Sequence, residues 1–376
     1  MIVAKLLFIL HLPPPVHGAA MVGKYIRDSE LINSEYDCRY INLTTAYSLE
    51  DIGRMSIKKL IAFAHLLKLI WYEVRVVKPD MVYVTPNAMG GPFYKDFIVV
   101  ELLKLMGCKV VVHYHNKGVA SRQDKWLDDK LYRIFYRKLK VILLSESLYS
   151  DVCKYVERKD VFFCPNGISN NNSSNNIKTV GANKQTRLLF LSNLIESKGV
   201  FVLLDALQIL NKKNVSFLCD IVGGETKEID TKRFQDEVVK RGLSKVVFYH
   251  GKKYGDEKQM FLQNADVFVF PTFYDNECFP LVLLEAMRQG LPCVTTDEGG
   301  IADIVKYGVN GLICEKRNAQ SLADKLLYLI QNESIREEMG RKGYERYMQL
   351  FTLDEFEKRL SMILHECCET NQKRKC

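Results

Sequence analysis

A chain of 376 residues with 47% apolar content has enough material for a large core, and its length suits two domains better than one. Global disorder does not fit that composition, and no segment has the roughly 18 uninterrupted apolar residues that spanning a bilayer requires. The net charge is +8 and lies wholly in one half: residues 1–180 hold 25 Lys and Arg against 17 Asp and Glu, while residues 181–376 are balanced.

The apolar start Met1–Leu10 is short for a secretory leader and runs into His11 and three prolines. It is expected to form a first buried strand, Ile2–Leu10. Gly18 follows at the mouth of a helix expected over Ala19–Leu31. A residue without a side chain there lets backbone approach phosphate or sugar, and a glycine at a tight turn explains it equally well. The segment Ser56–Trp71, with Lys58, Lys59 and Lys68, mixes basic with aromatic and aliphatic residues, as does Trp126–Lys140 with Arg133, Arg137 and Lys138. Two readings stay open for both: contact with an anionic membrane surface, or packed helices with a solvated basic face. Nucleic acid is not an expected partner, because no compact Lys/Arg run or stacking motif accompanies the charge.

Strands are expected at Met81–Val84, Lys109–His113, Val141–Leu144 and Val161–Cys164, separated by amphipathic segments. That alternation implies a parallel sheet with helical crossovers. His113 and His115 sit at the end of one such strand, and their spacing of two puts both side chains on one side. They lack a third ligand at useful spacing, so no metal is expected there. The polar tract Ser169–Asn176 cannot join a core and marks a domain boundary. The expected division is a first domain over 1–168, a linker over 169–183, a second domain over 184–352 and a terminal segment over 353–376.

The pattern then restarts, with strands expected at Arg187–Ser192, Val215–Val222, Val246–Tyr249, Ala265–Phe270, Pro292–Thr295 and Asn310–Cys314. Two Rossmann-like α/β domains follow. Lys198 comes after the first of these strands and near a helix start, where its ammonium and the helix N–H groups suit a diphosphate. Gly223-Gly224-Glu225 ends the second. After the fourth comes Glu277-Cys-Phe-Pro-Leu-Val-Leu-Leu-Glu285, two carboxylates with seven residues between them. Glu277 is expected on the loop, Pro280 at the first helical position, and Glu285 one to two turns into a helix closed by Gly290-Leu-Pro292. Phosphate is drawn to the helix start near Phe279 to Leu281, and carboxylates on either side suit sugar hydroxyls. The eleven cysteines are scattered and none is paired as C-x-x-C, so a reduced, cytoplasmic compartment is expected.

The Glu277–Glu285 segment resembles the family-4 retaining glycosyltransferases of the GT-B fold and their E-x7-E motif. Pro271 precedes it and Gly299-Gly300-Ile-Ala-Asp303 follows it. His11-Leu-Pro-Pro-Pro-Val-His-Gly18, His113-Tyr-His115-Asn116, Cys164-Pro-Asn166-Gly167 and Ser192-Asn193 to Lys198-Gly199 fall in the family's order, so the resemblance covers nearly the whole chain. It implies two Rossmann-like domains facing across a cleft, with residues from Leu353 to about Cys367 crossing back to the first. It also implies a nucleotide-diphosphate sugar as co-substrate, no cofactor and no bound metal. The acceptor would be lipid-linked or a polysaccharide, at the inner face of a bacterial membrane in lipopolysaccharide or capsule synthesis. Donor-binding residues would be Gly18, Asn193, Lys198, Glu277, Phe279, Pro280, Leu281 and Glu285, and catalytic residues His115, Glu277 and Lys198. Two positions depart from the pattern. Ala19 stands where a second glycine is common, and Asn193 where most relatives have an Arg; either Lys198 then carries more of the stabilisation or another cation, Arg187 or Lys252, substitutes. The rival readings are a nucleotide-sugar epimerase and a non-catalytic sugar-nucleotide-binding partner.

Overall fold

The computed structural model describes residues 3–14, 18–44, 57–170 and 185–369. Pro15, Val16 and His17 of the proline-rich loop, Ser56, the tract and linker from residue 171 on, and the terminus from residue 370 lie outside the described residues. The chain divides into two compact units, one running up to Gly167 and resuming at Leu353, the other spanning Ile168–Thr352.

The first unit contains β1 (Lys5–Leu10), α1 (Gly18–Asp28), α2 (Glu30–Glu35), β2 (Asp37–Asn42), α3 (Ile57–Val77) and β3 (Met81–Val84). It continues with α4 (Gly90–Leu105), β4 (Val110–His113), α5 (Trp126–Phe135), β5 (Lys140–Leu143), α6 (Tyr149–Val152) and β6 (Val161–Phe163). Its sheet runs β2-β1-β3-β4-β5-β6, with every pair parallel. β3 and β4 are buried at every position, as strands covered on both faces must be. β2 was not expected from the sequence. It is an edge strand whose Asp37 and Arg39 face solvent, so it carries no apolar run. The single helix expected over Ala19–Leu31 is two helices, because Ser29 ends one and caps the next, its Oγ accepting the Ile32 N–H at 3.3 Å.

The second unit contains β7 (Thr186–Leu191), α7 (Val200–Lys212), β8 (Phe217–Val222), α8 (Thr231–Lys240), β9 (Val247–Tyr249), α9 (Gly255–Asn264) and β10 (Val267–Phe270). It continues with α10 (Leu281–Arg288), β11 (Cys293–Thr295), α11 (Ile301–Ile304), β12 (Gly311–Ile313), α12 (Ala319–Gln331) and α13 (Glu333–Leu350). Its sheet, also parallel, runs β12-β11-β10-β7-β8-β9. The final helix, α14 (Leu353–Glu369), belongs to the first unit, where the Tyr36 hydroxyl donates to the Ser361 carbonyl.

Strand order locates the place where each sheet can hold a ligand. In the second sheet the chain winds outward from β7 through β8 to β9, then returns to lay β10 on the other side of β7. The two crossovers diverge there and leave a crevice at the carboxyl ends of β7 and β10. In the first sheet the same reversal falls between β1 and β3. Among the described residues no helix is long and apolar enough to cross a membrane.

Candidate functional site

The loops leaving β7 and β10 are locked together by a glycine. Gly199 has φ +86°, and a Cβ built on it would lie 2.1 Å from the Pro271 carbonyl oxygen, so only glycine lets the chain close against the end of β10. This contact places Lys198 beside the following loop. Its Nζ lies 2.5 Å from Glu277 Oε2, 4.4 Å from the Tyr274 ring centroid and 5.6 Å from that of Phe270. Thr272 Oγ1 stands 3.4 Å from the same carboxylate oxygen. Glu277 is buried, and Gly299, at φ +57°, passes so close to its carbonyl that a Cβ would lie 2.0 Å from the oxygen. Residues far apart in sequence thus meet at the point where strand order reverses.

Glu285 is the fifth residue of α10, one turn inside the helix. Lys258 on α9 donates to its Oε1 at 2.7 Å. Glu285 Oε2 is buried and has no hydrogen-bond partner among the described residues. A buried oxygen left unsatisfied costs about 1–3 kcal/mol, so a native fold that keeps one invites a ligand donor. Pro280 stands one residue before its expected place: it caps α10 in an extended conformation (φ −69°, ψ 118°), and Leu281 is the first helical residue. Its missing N–H costs nothing in either position. The Phe279 side chain is buried in T-shaped contact with Phe351, centroids 5.8 Å apart, so it anchors the loop.

Asn193 turns its Oδ1 to the Gly224 N–H at 3.2 Å and ties the loop after β7 to the one after β8. Arg187 does not stand in for the absent charge. It lies at the amino end of β7, paired with Asp220 at 2.5 Å, on the edge opposite the crevice. Lys252 is on the correct edge, its Cδ 3.5 Å from where a Gly224 side chain would begin.

In the first unit Gly18 opens α1 with nothing within 4 Å of a Cβ position, so packing does not demand glycine there. His113 and His115 do share a side, with ring centroids 4.3 Å apart. His113 is fully buried and shares a 2.5 Å hydrogen bond with the Tyr83 hydroxyl. Burial, with His115 beside it, holds the His113 pKa well below the ordinary imidazole value, and burial pushes the Tyr83 phenol up. The pair is therefore neutral and structural, whereas His115 is only partly buried. Among the described residues no three His, Cys, Asp or Glu side chains gather as a metal site would require.

Residues 172–346 match the family model described as glycosyl transferases group 1. An uncharacterised glycosyltransferase of Methanocaldococcus jannaschii is 34% identical over 157 residues, 42% of this chain and 42% of that protein. The chain thus spans less than half the length of that relative. O-antigen chain mannosyltransferase C of Escherichia coli is 28% identical over 273 residues, 70% of this chain and 71% of its own. Among solved structures, HepE of Anabaena in complex with UDP has a TM-score of 0.74 at 17% identity, covering 96% of this chain and 100% of that one. The fold is GT-B, built from two Rossmann-like α/β units. Lys198, Glu277 and Glu285 all fall inside the segment that matches the family model.

A polar chain in the first unit escaped sequence analysis. At the β1/β3 reversal the Asn87 N–H and Nδ2 both donate to Asp96 Oδ2 at 2.8 Å, and Nδ2 lies 3.3 Å from His11 Nε2. Asn116 Oδ1 accepts the Ala88 N–H at 2.7 Å. Because the carboxylate only accepts, it fixes which end of the Asn87 amide faces it, and His11 Nε2 is then the acceptor. The usable signal was Asp96 itself, the one carboxylate of the largely apolar stretch Phe93–Val100, now fully buried with Lys95 Nζ 3.3 Å from its Oδ1.

The neutral His113 has a measurable consequence. Its folded pKa lies below the unfolded value near 6.5, so the unfolded chain binds the extra proton and stability falls as pH drops below that value. The loss is expected to approach about 1.4 kcal/mol per pH unit for one fully coupled group. Thermal midpoints between pH 7 and pH 5 should therefore fall less steeply in His113→Gln than in wild type. Parallel curves would mean that His113 is protonated in the fold.

Proposed function

We propose that this chain is a retaining glycosyltransferase of the family-4 type, moving a sugar from a nucleotide-diphosphate sugar to a lipid-linked or polysaccharide acceptor in cell-surface glycan synthesis. The observation that carries this reading is the second unit's crevice, where Lys198 meets Glu277 and Glu285 keeps a buried, unpartnered oxygen. A ribose hydroxyl is a donor of the right kind for Glu285 Oε2. Glu277 would accept from the donor sugar. The Leu281 end of α10, with the loop through Phe279 and Pro280, and Asn193 would line the phosphates. Lys198, already close to its carboxylate, would stabilise the negative charge that grows on the departing diphosphate, the main electrostatic task in such a transfer. Gly18 and His115 in the first unit keep the roles that the resemblance implies, at the diphosphate and the reaction centre. UDP bound to HepE and the sugar-polymer product named for the Escherichia coli relative support a nucleotide sugar and a glycan acceptor.

In this reading Lys198 and helix N–H groups do the work of a cation, and neither cofactor nor metal is required. Incubation with a panel of nucleotide sugars in excess EDTA should release nucleoside diphosphate slowly from one donor. Complete, Mg²⁺-restorable loss would reject this division of labour.

The acceptor is proposed to sit at an anionic membrane, with the protein cytoplasmic and peripheral on the inner face. α3 supports this: Ile57, Ile61, Lys68, Trp71, Tyr72 and Arg75, spaced so that they fall on one face of the helix, are all exposed. A stripe that is apolar, aromatic and basic, with Arg75 over the Trp71 ring at 5.5 Å, suits an interface more than bulk water. Each cation near such a surface contributes about 1 kcal/mol, screened within roughly 10 Å at 0.1 M salt. Co-sedimentation with phosphatidylglycerol vesicles should weaken with salt and fall in Lys59→Gln/Lys68→Gln/Arg75→Gln. Equal sedimentation with neutral vesicles would send the search for an acceptor to soluble sugars.

A further inference from the structure

The two carboxylates of the crevice are each held by a lysine, but the two lysines differ in origin. Lys198 comes from the loop after β7 and belongs to the motif around Glu277. Lys258 comes from α9, the crossover between β9 and β10, and no reading of the sequence assigns it a task. Its Nζ is 2.7 Å from Glu285 Oε1, and the two side chains retain 26% and 17% exposure. The neighbouring residue repeats the link one turn along α10: Gln259 Oε1 accepts from Arg288 Nη2 at 3.0 Å, and Arg288 Nη1 donates to the Ser169 carbonyl at 2.6 Å. α9 and α10 are therefore joined by two polar rungs, at Lys258–Glu285 and Gln259–Arg288.

We propose that Lys258 is a positioning residue for nucleotide binding, holding Glu285 by Oε1 so that Oε2 is kept for the ligand. This rests on the reading of Glu285 as the residue that receives the nucleotide's hydroxyl groups. A glutamate has three side-chain torsions and would otherwise sample several placements, each satisfied by water. One charge-assisted bond to Oε1 removes that freedom and leaves only Oε2 without a donor. The lysine also balances a carboxylate that is mostly withdrawn from water, which makes a fixed geometry tolerable before ligand arrives. Lys258 acts through Glu285 and does not itself meet the nucleotide, so its removal should raise the donor KM and leave kcat within twofold.

The test uses the full chain and titrates UDP, GDP and ADP, following the one that wild type binds tightest. Lys258→Met should weaken binding at least fivefold and Lys258→Gln at least threefold, while Lys258→Arg should stay within twofold. Glu285→Ala should weaken it tenfold or more, and the double variant Lys258→Met/Glu285→Ala should bind no more weakly than Glu285→Ala alone. Thermal midpoints identify any variant that fails to fold, and Lys258→Gln, which keeps a donor, carries the test if Lys258→Met is lost. Wild-type affinity in Lys258→Met, or losses that multiply in the double variant, would overturn the proposal while leaving the Glu285 reading intact. Wild-type affinity in Glu285→Ala would instead remove that reading, and this inference with it.

Discussion

Lys198→Ala is expected to lower kcat/KM for the nucleotide sugar at least tenfold, about 1.4 kcal/mol of lost transition-state stabilisation. Two effects are folded into that variant and have to be separated. The ammonium is 2.5 Å from Glu277 Oε2, and the Glu277 side chain is only 9% exposed, so its removal leaves a nearly buried carboxylate without its cation. Breaking such a pair from one side costs about 3–5 kcal/mol when burial is complete. The remaining exposure reduces the figure here. The double variant Lys198→Ala/Glu277→Gln removes both charges and should recover much of the thermal midpoint, but none of the activity. Recovery of activity along with stability would mean that Lys198 serves only to neutralise Glu277, and wild-type kinetics in Lys198→Ala would remove the residue from the site.

Gly199→Ala is expected to be among the most damaging single-methyl changes in the second unit. The position combines a left-handed backbone, φ +86°, with a Cβ site 2.1 Å from the Pro271 carbonyl oxygen, closer than carbon and oxygen approach without bonding. Gly242 is the control, since it has a similar φ of +69° with nothing within 4 Å of its Cβ. Gly242→Ala should cost about 1 kcal/mol from the backbone alone. Gly199→Ala must also push the end of β10 away from the Lys198 loop, and should cost at least about 2 kcal/mol more. At roughly 2–4 °C per kcal/mol for a unit of this size, the difference between the two variants should be about 4–8 °C. Equal midpoints would mean that the loop moves aside without resistance and that the Lys198–Glu277 contact does not depend on it.

The inner strands of the two sheets were legible because they are buried on both faces, and continuous Val, Ile, Leu and Phe runs follow directly from that burial. β2 was not, since this edge strand exposes Asp37, Arg39 and Asn42 and buries only Ile41 fully, and so resembles loop. Ser29 divided a helix that looked continuous, because its capping bond is a local choice that apolar spacing does not register. At the site, Glu277, Glu285 and Lys198 were all visible as residues. The ion pair between Lys198 and Glu277 was not, because it depends on β10 returning beside β7, a pairing across 79 residues. Arg187 was a candidate for its charge, and it failed on direction, since it enters β7 at the end away from the crevice. Lys258 gave no signal, being an ordinary cation in a polar helix until the fold brings it to Glu285.

The central claim, retaining transfer from a nucleotide sugar held through Glu285, Glu277 and Lys198, is tested most directly by the stereochemistry of the donor reaction. Proton NMR, run while the enzyme consumes its preferred nucleotide sugar in excess EDTA, follows the first sugar product before it mutarotates. Release of the sugar in the donor's own anomeric configuration, slowed at least tenfold in Glu285→Ala and Lys198→Ala, is the expected result. An inverted anomer, or release at the wild-type rate in those two variants, would contradict it.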